Sequence, residues 1–288
     1  MFEGSMAEHR SVHGRRDRAV TLALRLAAAC VLGVLGWILI DLLRHGLGRI
    51  SWQFLVAAPT DAGRGGGIGP MIVATLWILA VCLAVSLPVG LGAALFLTEA
   101  ASRATGRRVR RSLDVLAAVP SIVFGLFGNA LFCHALGLGY SILSGGLTLA
   151  CMVLPLVVRT TEAGLSAVPV EVRQGAAALA LSKLTTLRTL ILPAAAPALL
   201  VGLVLGIGRA LAETAALIFT SGYVDRWPSS VHDSGRALSI HIYDLSMNVP
   251  GGNETAYATA LILVLILILT QRTATVLIER FLSPERPS

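Results

Sequence analysis

Val168–Pro193 reads VPVEVRQGAAALALSKLTTLRTLILP. It is rich in alanine, carries Glu171, Arg173, Lys183 and Arg188, and lies between two long apolar runs. Its small side chains and spaced charges suit short helices rather than a bilayer span. Pro169 is placed to start a helix, where a missing N–H removes nothing, and Glu171 in the first turn complements the helix dipole. The residues predict one short helix over 171–181 and a second over 182–192, ending before Pro193. A membrane protein that keeps such a segment in a loop offers it to a soluble partner, because small side chains let a helix lie deep in a partner's groove. The other reading is an amphipathic helix resting on the membrane surface.

The runs on either side set the fold class. Of 288 residues 55% are hydrophobic and 14% charged, with mean hydropathy +0.78. A soluble domain carries roughly 25% charged residues. The apolar residues fall in blocks near the roughly 20 residues that cross a bilayer as a helix. Six spans are expected, at 19–43, 71–97, 113–136, 142–158, 195–220 and 255–275. The chain is therefore an all-α polytopic membrane protein, with a tail over 1–18 and a membrane domain over 19–282. The net charge of +7 does not indicate nucleic acid, because the basic residues sit in short loops between spans. Cys30, Cys82, Cys133 and Cys151 are scattered singly and read as small buried side chains. Nothing in the sequence calls for a metal or a cofactor.

Orientation follows from the Lys and Arg positions. With the N-terminal tail inside, sixteen of these residues fall in inside segments and five in outside ones (Arg44, Arg49, Arg64, Arg226 and Arg236). Arg25 and Arg209 lie in spans. Both termini and Val168–Pro193 are then cytoplasmic. The first apolar run is too long for a signal peptide and reads as a retained anchor. GRGGGIGP (63–70) is not a phosphate cradle, since no GK[ST] follows it, and reads as a flexible hinge. No such motif occurs elsewhere, so the chain does not itself hydrolyse ATP. In the long outer segment 221–255, residues Gly235–Met247 suit a short interfacial helix.

Span five holds the chemistry. Arg209 and Glu213 are four apart in an apolar run, so on one helix they share a face. An intramembrane charge marks a functional site unless it is merely paired. The arginine fork suits an oxyanion, and Glu213 is placed to hold it until an anion competes. The alternative is an internal salt bridge. Gly202, Gly206 and Gly208 allow close helix approach. Pro88, Pro120 and Pro155 are each expected to interrupt a span, Pro120-Ser121 being the most suggestive of a pathway. Asn129 and His134 read as polar interface residues.

Val168–Pro193 resembles the cytoplasmic EAA loop of binding-protein-dependent ABC importer permeases. That pattern is Glu-Ala-Ala, three residues, Gly, nine residues, an Ile-type residue, one residue, Leu-Pro. It falls here on Gln174, Gly175, Ala176, Ala180, Leu190, Leu192 and Pro193. Gln174 stands in the Glu position and Ala180 in the Gly position. AVPSIVFGLFG (118–128), SGGLTL (144–149) and Arg159-Thr-Thr-Glu162 resemble the phosphate importer permeases. Arg209-Ala-Leu-Ala-Glu213-Thr214-Ala215 resembles the PstA-type subunit of those importers, with Ala212 and Ala216 departing from a common Gly and Pro. The resemblance runs from about residue 66 to 275.

It implies a type I ABC importer permease fold in a bacterial inner membrane. It implies a heterodimer with a PstC-type permease, two copies of an ATP-binding subunit on the EAA loops, ATP bound only by that subunit, and a periplasmic phosphate-binding protein outside. Arg209, Glu213, Thr214, Pro120 and Ser121 would lie on the substrate pathway. Glu171, Arg173, Gln174, Gly175, Ala176, Ala180, Leu192 and Pro193 would form the coupling loop. A permease for another solute or oxyanion, an ion-coupled secondary transporter and a membrane scaffold are the other readings.

Overall fold

The computed structural model describes the backbone of residues 3–282 and the side chains of residues 20–276. In chain order the helices are α1 (Glu3–Gly46), α2 (Trp52–Val56), α3 (Gly69–Leu95), α4 (Arg103–Ala118), α5 (Ser121–Gly128), α6 (Ile142–Ser166), α7 (Val170–Ala178), α8 (Lys183–Thr186), α9 (Leu192–Leu211), α10 (Ala215–Ile218), α11 (Leu238–Met247) and α12 (Asn253–Leu282). Serines cap four of them: Ser51 accepts the N–H of Phe54, Ser102 that of Thr105, Ser141 that of Ser144, and Ser182 that of Thr185. Strands β1 (Pro59–Thr60) and β2 (Gly65–Gly66) form a small antiparallel hairpin.

Among the described residues five segments are long and apolar enough to span: Val20–Arg49, Gly69–Ala100, Ile142–Ser166, Lys183–Leu211 and Asn253–Val276. α6 is the central one, with 67% of its most apolar window buried against 0% for the first segment and 22–28% for the others. α3 and α9 pack along α6, α12 packs on α9 and α11, and α1 rests on α12. One core surrounds Ile78, Leu149, Val153 and Leu217. A second, around Leu97, Val158, Leu165 and Ile191, lies at the end carrying Val168–Pro193, the loop end. A third, around Phe54, Met71 and Leu238, lies at the far end.

Several expectations are corrected. The span placed at 113–136 is broken: α4 and the segment Ser121–Ala135 meet at 99°. Pro120 disfavours helix at the residue before it, and Val119 is extended, with ψ 129°. Ser121–Ala135 rises only ~22 Å at 1.5 Å per residue, short of a ~30 Å core. Pro88 and Pro155, by contrast, lie inside unbroken helices. The fourth span does not stop at 158 but runs to Ser166, which places Arg159 and Glu162 on the helix. The fifth ends at Leu211, not 220. α1 begins at Glu3, so the tail over 1–18 continues the first span's helix from that residue on; its basic side chains lie outside the described ones.

The glycine-rich 63–70 segment is a packed corner rather than a hinge. Ile68 is fully buried, and its N–H bonds the Phe54 carbonyl at 2.8 Å. α11 is helical within the expected 235–247 stretch but not interfacial, because Leu238, Ile240, His241 and Leu245 are all fully buried.

Candidate functional site

At the loop end, Val168–Pro193 folds as α7, a tight turn, and α8 running on into α9. Pro169 stands just ahead of α7, and Glu171, Gln174 and Gly175 are exposed. Ala176 is buried and Arg173 turns inward. The Arg173 guanidinium pairs with Glu99 at 2.6 Å and donates to the Leu165 carbonyl at 3.3 Å. α7 closes with a reversed turn: the N–H groups of Ala180 and Leu181 bond the carbonyls of Ala177 and Ala176. That geometry puts residue 180 in the left-handed region, φ 52°. Glycine enters it freely, whereas an L side chain gives up roughly 1–2 kcal/mol.

The second half of the loop does not end before Pro193, as its sequence suggested. A π turn over Leu187–Ile191, in which Leu192 N–H reaches the Leu187 carbonyl, carries the helix through Leu192 and Pro193 to Leu211. The wider turn fits a residue that lacks an N–H and crowds the preceding turn. An open groove of about 570 Å³, lined by Glu99, Arg173, Leu181, Lys183, Leu187 and Ile191, runs between the two halves.

Behind the loop lies a charged quartet that sequence reasoning missed. Glu162 on α6, 6% exposed, faces Arg110 Nε of α4 at 2.5 Å and Arg159 at 3.7 Å. Arg159 also pairs with Asp114 of α4. The signal in the sequence is Arg159 and Glu162 at i,i+3 beside an apolar run whose helix continues past its most apolar part to Ser166.

Arg209 and Glu213 do not share a helix face. α9 stops at Leu211, capped by Ala212, so the two residues flank a break. Arg209 is exposed and makes no ion pair or hydrogen bond among the described residues, which leaves its five donors free for an anion. Glu213 is half-buried and caps α10: its carboxylate accepts the Ala216 N–H at 3.3 Å, and its carbonyl accepts Ser239 Oγ at 2.7 Å. Thr214 precedes α10 and makes no side-chain cap. α5 holds α10 in place. Asn129 donates to the Phe219 carbonyl at 2.8 Å, and a Cβ at Gly125 would stand 3.0 Å from the Ala216 Cα. Pro120 and Ser121 form the start of α5. Neither side chain bonds Arg209 or Glu213 among the described residues. Exposed His134 stands apart from this packing.

At the far end Arg236 and Asp244 pair at 3.1 Å. His241 is fully buried with both ring nitrogens unpartnered. Burial, aided by the Arg236 charge and opposed by Asp244, pushes its pKa down to about 4. Among the described residues no cluster of three or more His, Cys, Asp or Glu is placed to hold a metal.

Residues 86–283 match the family described as "Binding-protein-dependent transport system inner membrane component". The "Probable ABC transporter permease protein YqgI" of Bacillus subtilis (strain 168) is 28% identical over 265 residues, covering 86% of this chain and 90% of that protein. The "Phosphate transport system permease protein PstA 2" of Mycobacterium bovis is 29% identical over 266 residues, covering 90% and 88%. Among solved structures, a bacterial ABC transporter involved in the import of the acidic polysaccharide alginate superposes with a TM-score of 0.65 at 14% identity, covering 90% of this chain and 96% of that one.

Proposed function

The chain belongs to the binding-protein-dependent transport system inner membrane component family, and from that premise we propose that it is the PstA-type permease subunit of an ATP-driven phosphate importer. Its fold is that of type I ABC importer permeases, and it is a multi-pass membrane transport subunit. It supplies half of a pathway whose other half comes from a PstC-type partner. The membrane is the bacterial inner membrane, both termini are cytoplasmic, and residues 19–282 make up the permease domain. A periplasmic phosphate-binding protein delivers the anion. Two copies of a separate ATP-binding subunit dock on the coupling loops and hydrolyse ATP; this chain needs no cofactor of its own.

The observation that carries this reading is Arg209, a permanent cation on an apolar helix with no protein partner among the described residues. Glu213, on the other side of the break, is occupied with capping α10. An oxyanion binds a guanidinium through paired N–H···O contacts. Entry against a negative-inside potential opposes an anion by about 2.3 kcal/mol per charge per 100 mV, so uptake needs an energy source, which the ATPase supplies in this reading. In the coupling loop, exposed Glu171, Gln174, Gly175 and the Ala180 turn form the docking surface, Arg173, Ala176 and Leu192 tie it to the core, and exposed Pro193 leads on into α9.

The test is assembly followed by uptake. The tagged chain, extracted in mild detergent, should bring down an ATPase subunit and a second permease. Cells lacking their own phosphate importer should regain phosphate uptake when the whole set is supplied. Uptake of sulfate or a neutral solute in place of phosphate would assign another cargo; absence of an ATPase from the complex would end the reading.

A further inference from the structure

We propose that Glu162 is a positioning residue that locks α4 to the coupling-loop end of α6, so that loop movement reaches α5 and the α10 cap. This rests on the reading of Val168–Pro193 as the ATPase dock.

Three observations build it. First, α6 and α7 are tied together beyond the chain itself. Only three residues separate Ser166 from Val170, and Arg173 of α7 donates back to the Leu165 carbonyl. Second, α6 grips α4 through charge. Arg110 and Asp114 of α4 face Glu162 and Arg159 of α6, an antiparallel pairing one turn apart on each helix. The Glu162 carboxylate is buried, so it must keep a cation: removing one member of a buried pair leaves an uncompensated charge. Third, α4 leads through Val119-Pro120 into α5 at a bend of 99°. A rotation of α4 about its axis therefore swings α5 sideways. α5 carries α10 with it, through Gly125 against Ala216 and Asn129 on the Phe219 carbonyl.

Arg209 reaches the same loop by another route, the continuous helix Lys183–Leu211. The two sides of the span-five break thus have separate connections to one loop. Arg209 moves with α8–α9, and the Glu213 cap moves with α4–α5. Cutting the Glu162 link should leave the loop docked and the ATPase active while the Glu213 side stays behind.

The experiment uses the complete transporter in proteoliposomes, reading ATP hydrolysis and phosphate uptake together. The Arg110 side chain is 40% exposed, so Arg110→Gln disturbs folding least. Its hydrolysis should match the parent's while uptake per ATP falls roughly tenfold, within the range of coupling changes at linking residues. Arg110→Lys, which keeps the charge, should restore most of the ratio, and Glu162→Gln should reproduce the loss. An unchanged ratio in Arg110→Gln and Glu162→Gln, or hydrolysis and uptake falling in step, overturns the proposal.

A parent that hydrolyses ATP but carries no phosphate would instead refute the cargo. The lock is then read from spin labels at Ser112→Cys and Ser166→Cys, with exposed Cys30 and half-buried Cys151 replaced by alanine. One distance across nucleotide states in the parent, and two in Arg110→Gln, supports the lock. A shift in the parent, or none in the variant, overturns it.

Discussion

Glu162 and Arg209 are both charged side chains on largely apolar helices, yet their surroundings are opposite. Glu162 is sealed at the loop end between two guanidiniums. Arg209 stands exposed beside the span-five break with no ion pair among the described residues. A buried carboxylate without its cations would be several kcal/mol less stable, so the loop end is built to hold together. An unpaired arginine in a span persists where water or a ligand meets it, so the break is built to receive something. On the proposed function, the contrast separates a part that would transmit force from a part that would meet the anion.

The largest effect expected from this contrast is at Arg209. Arg209→Gln should lower phosphate uptake on the order of 100-fold, in line with the roughly 1.5–3 kcal/mol carried by hydrogen bonds to a charged group. Assembly with the ATPase should be unaffected, as measured by pull-down. Unchanged uptake of every oxyanion would make Arg209 as structural as Glu162.

His241 supplies a third case, a buried ionisable group held neutral. Its folded pKa of about 4 lies below the ordinary 6.5. Between those values the unfolded chain binds a proton that the folded chain refuses, so stability falls as pH falls through that window, by at most about 1.4 kcal/mol per unit. Thermal unfolding of the detergent-solubilised protein should show this slope, and His241→Leu should flatten it. An equal slope in that variant would move the cause elsewhere.

Smaller effects belong to the coupling loop. Ala180→Gly should raise unfolding stability by about 1 kcal/mol, since the left-handed turn no longer carries a Cβ; a loss would contradict the φ of 52°. Arg173→Ala removes a half-exposed pair with Glu99. It should shift stability by less than about 1 kcal/mol, and the clearer readout is weaker ATPase retention in the pull-down. Retention equal to the parent's would show that the Arg173 tie does not support docking.

Much of this was readable from the chain. Long apolar blocks announce membrane helices because the bilayer leaves few alternatives, and the spacing from Gln174 to Pro193 marks the segment proposed as the coupling loop. What stayed hidden depended on contacts distant in sequence or on backbone detail. The Glu162 quartet joins residues about fifty apart, and no local pattern pairs Arg110 with Glu162. The i,i+4 reading of Arg209 and Glu213 assumed an unbroken helix, and nothing between Arg209 and Thr214 is a helix breaker. Pro88, Pro120 and Pro155 look alike in sequence, yet only Pro120 coincides with a break. Pro193 reads as a stop in the sequence, but a π turn admits it. The glycine that the EAA pattern places at residue 180 is explained only by the left-handed backbone there.

The most direct test of the central claim is ATP-dependent accumulation of phosphate by the purified complete transporter in proteoliposomes, with sulfate and a neutral solute offered in parallel. Phosphate accumulated against its gradient by the parent, and lost in Arg209→Gln while ATP hydrolysis continues, is the predicted result. Phosphate accumulation that survives Arg209→Gln, or a parent that accumulates the neutral solute instead, would contradict it.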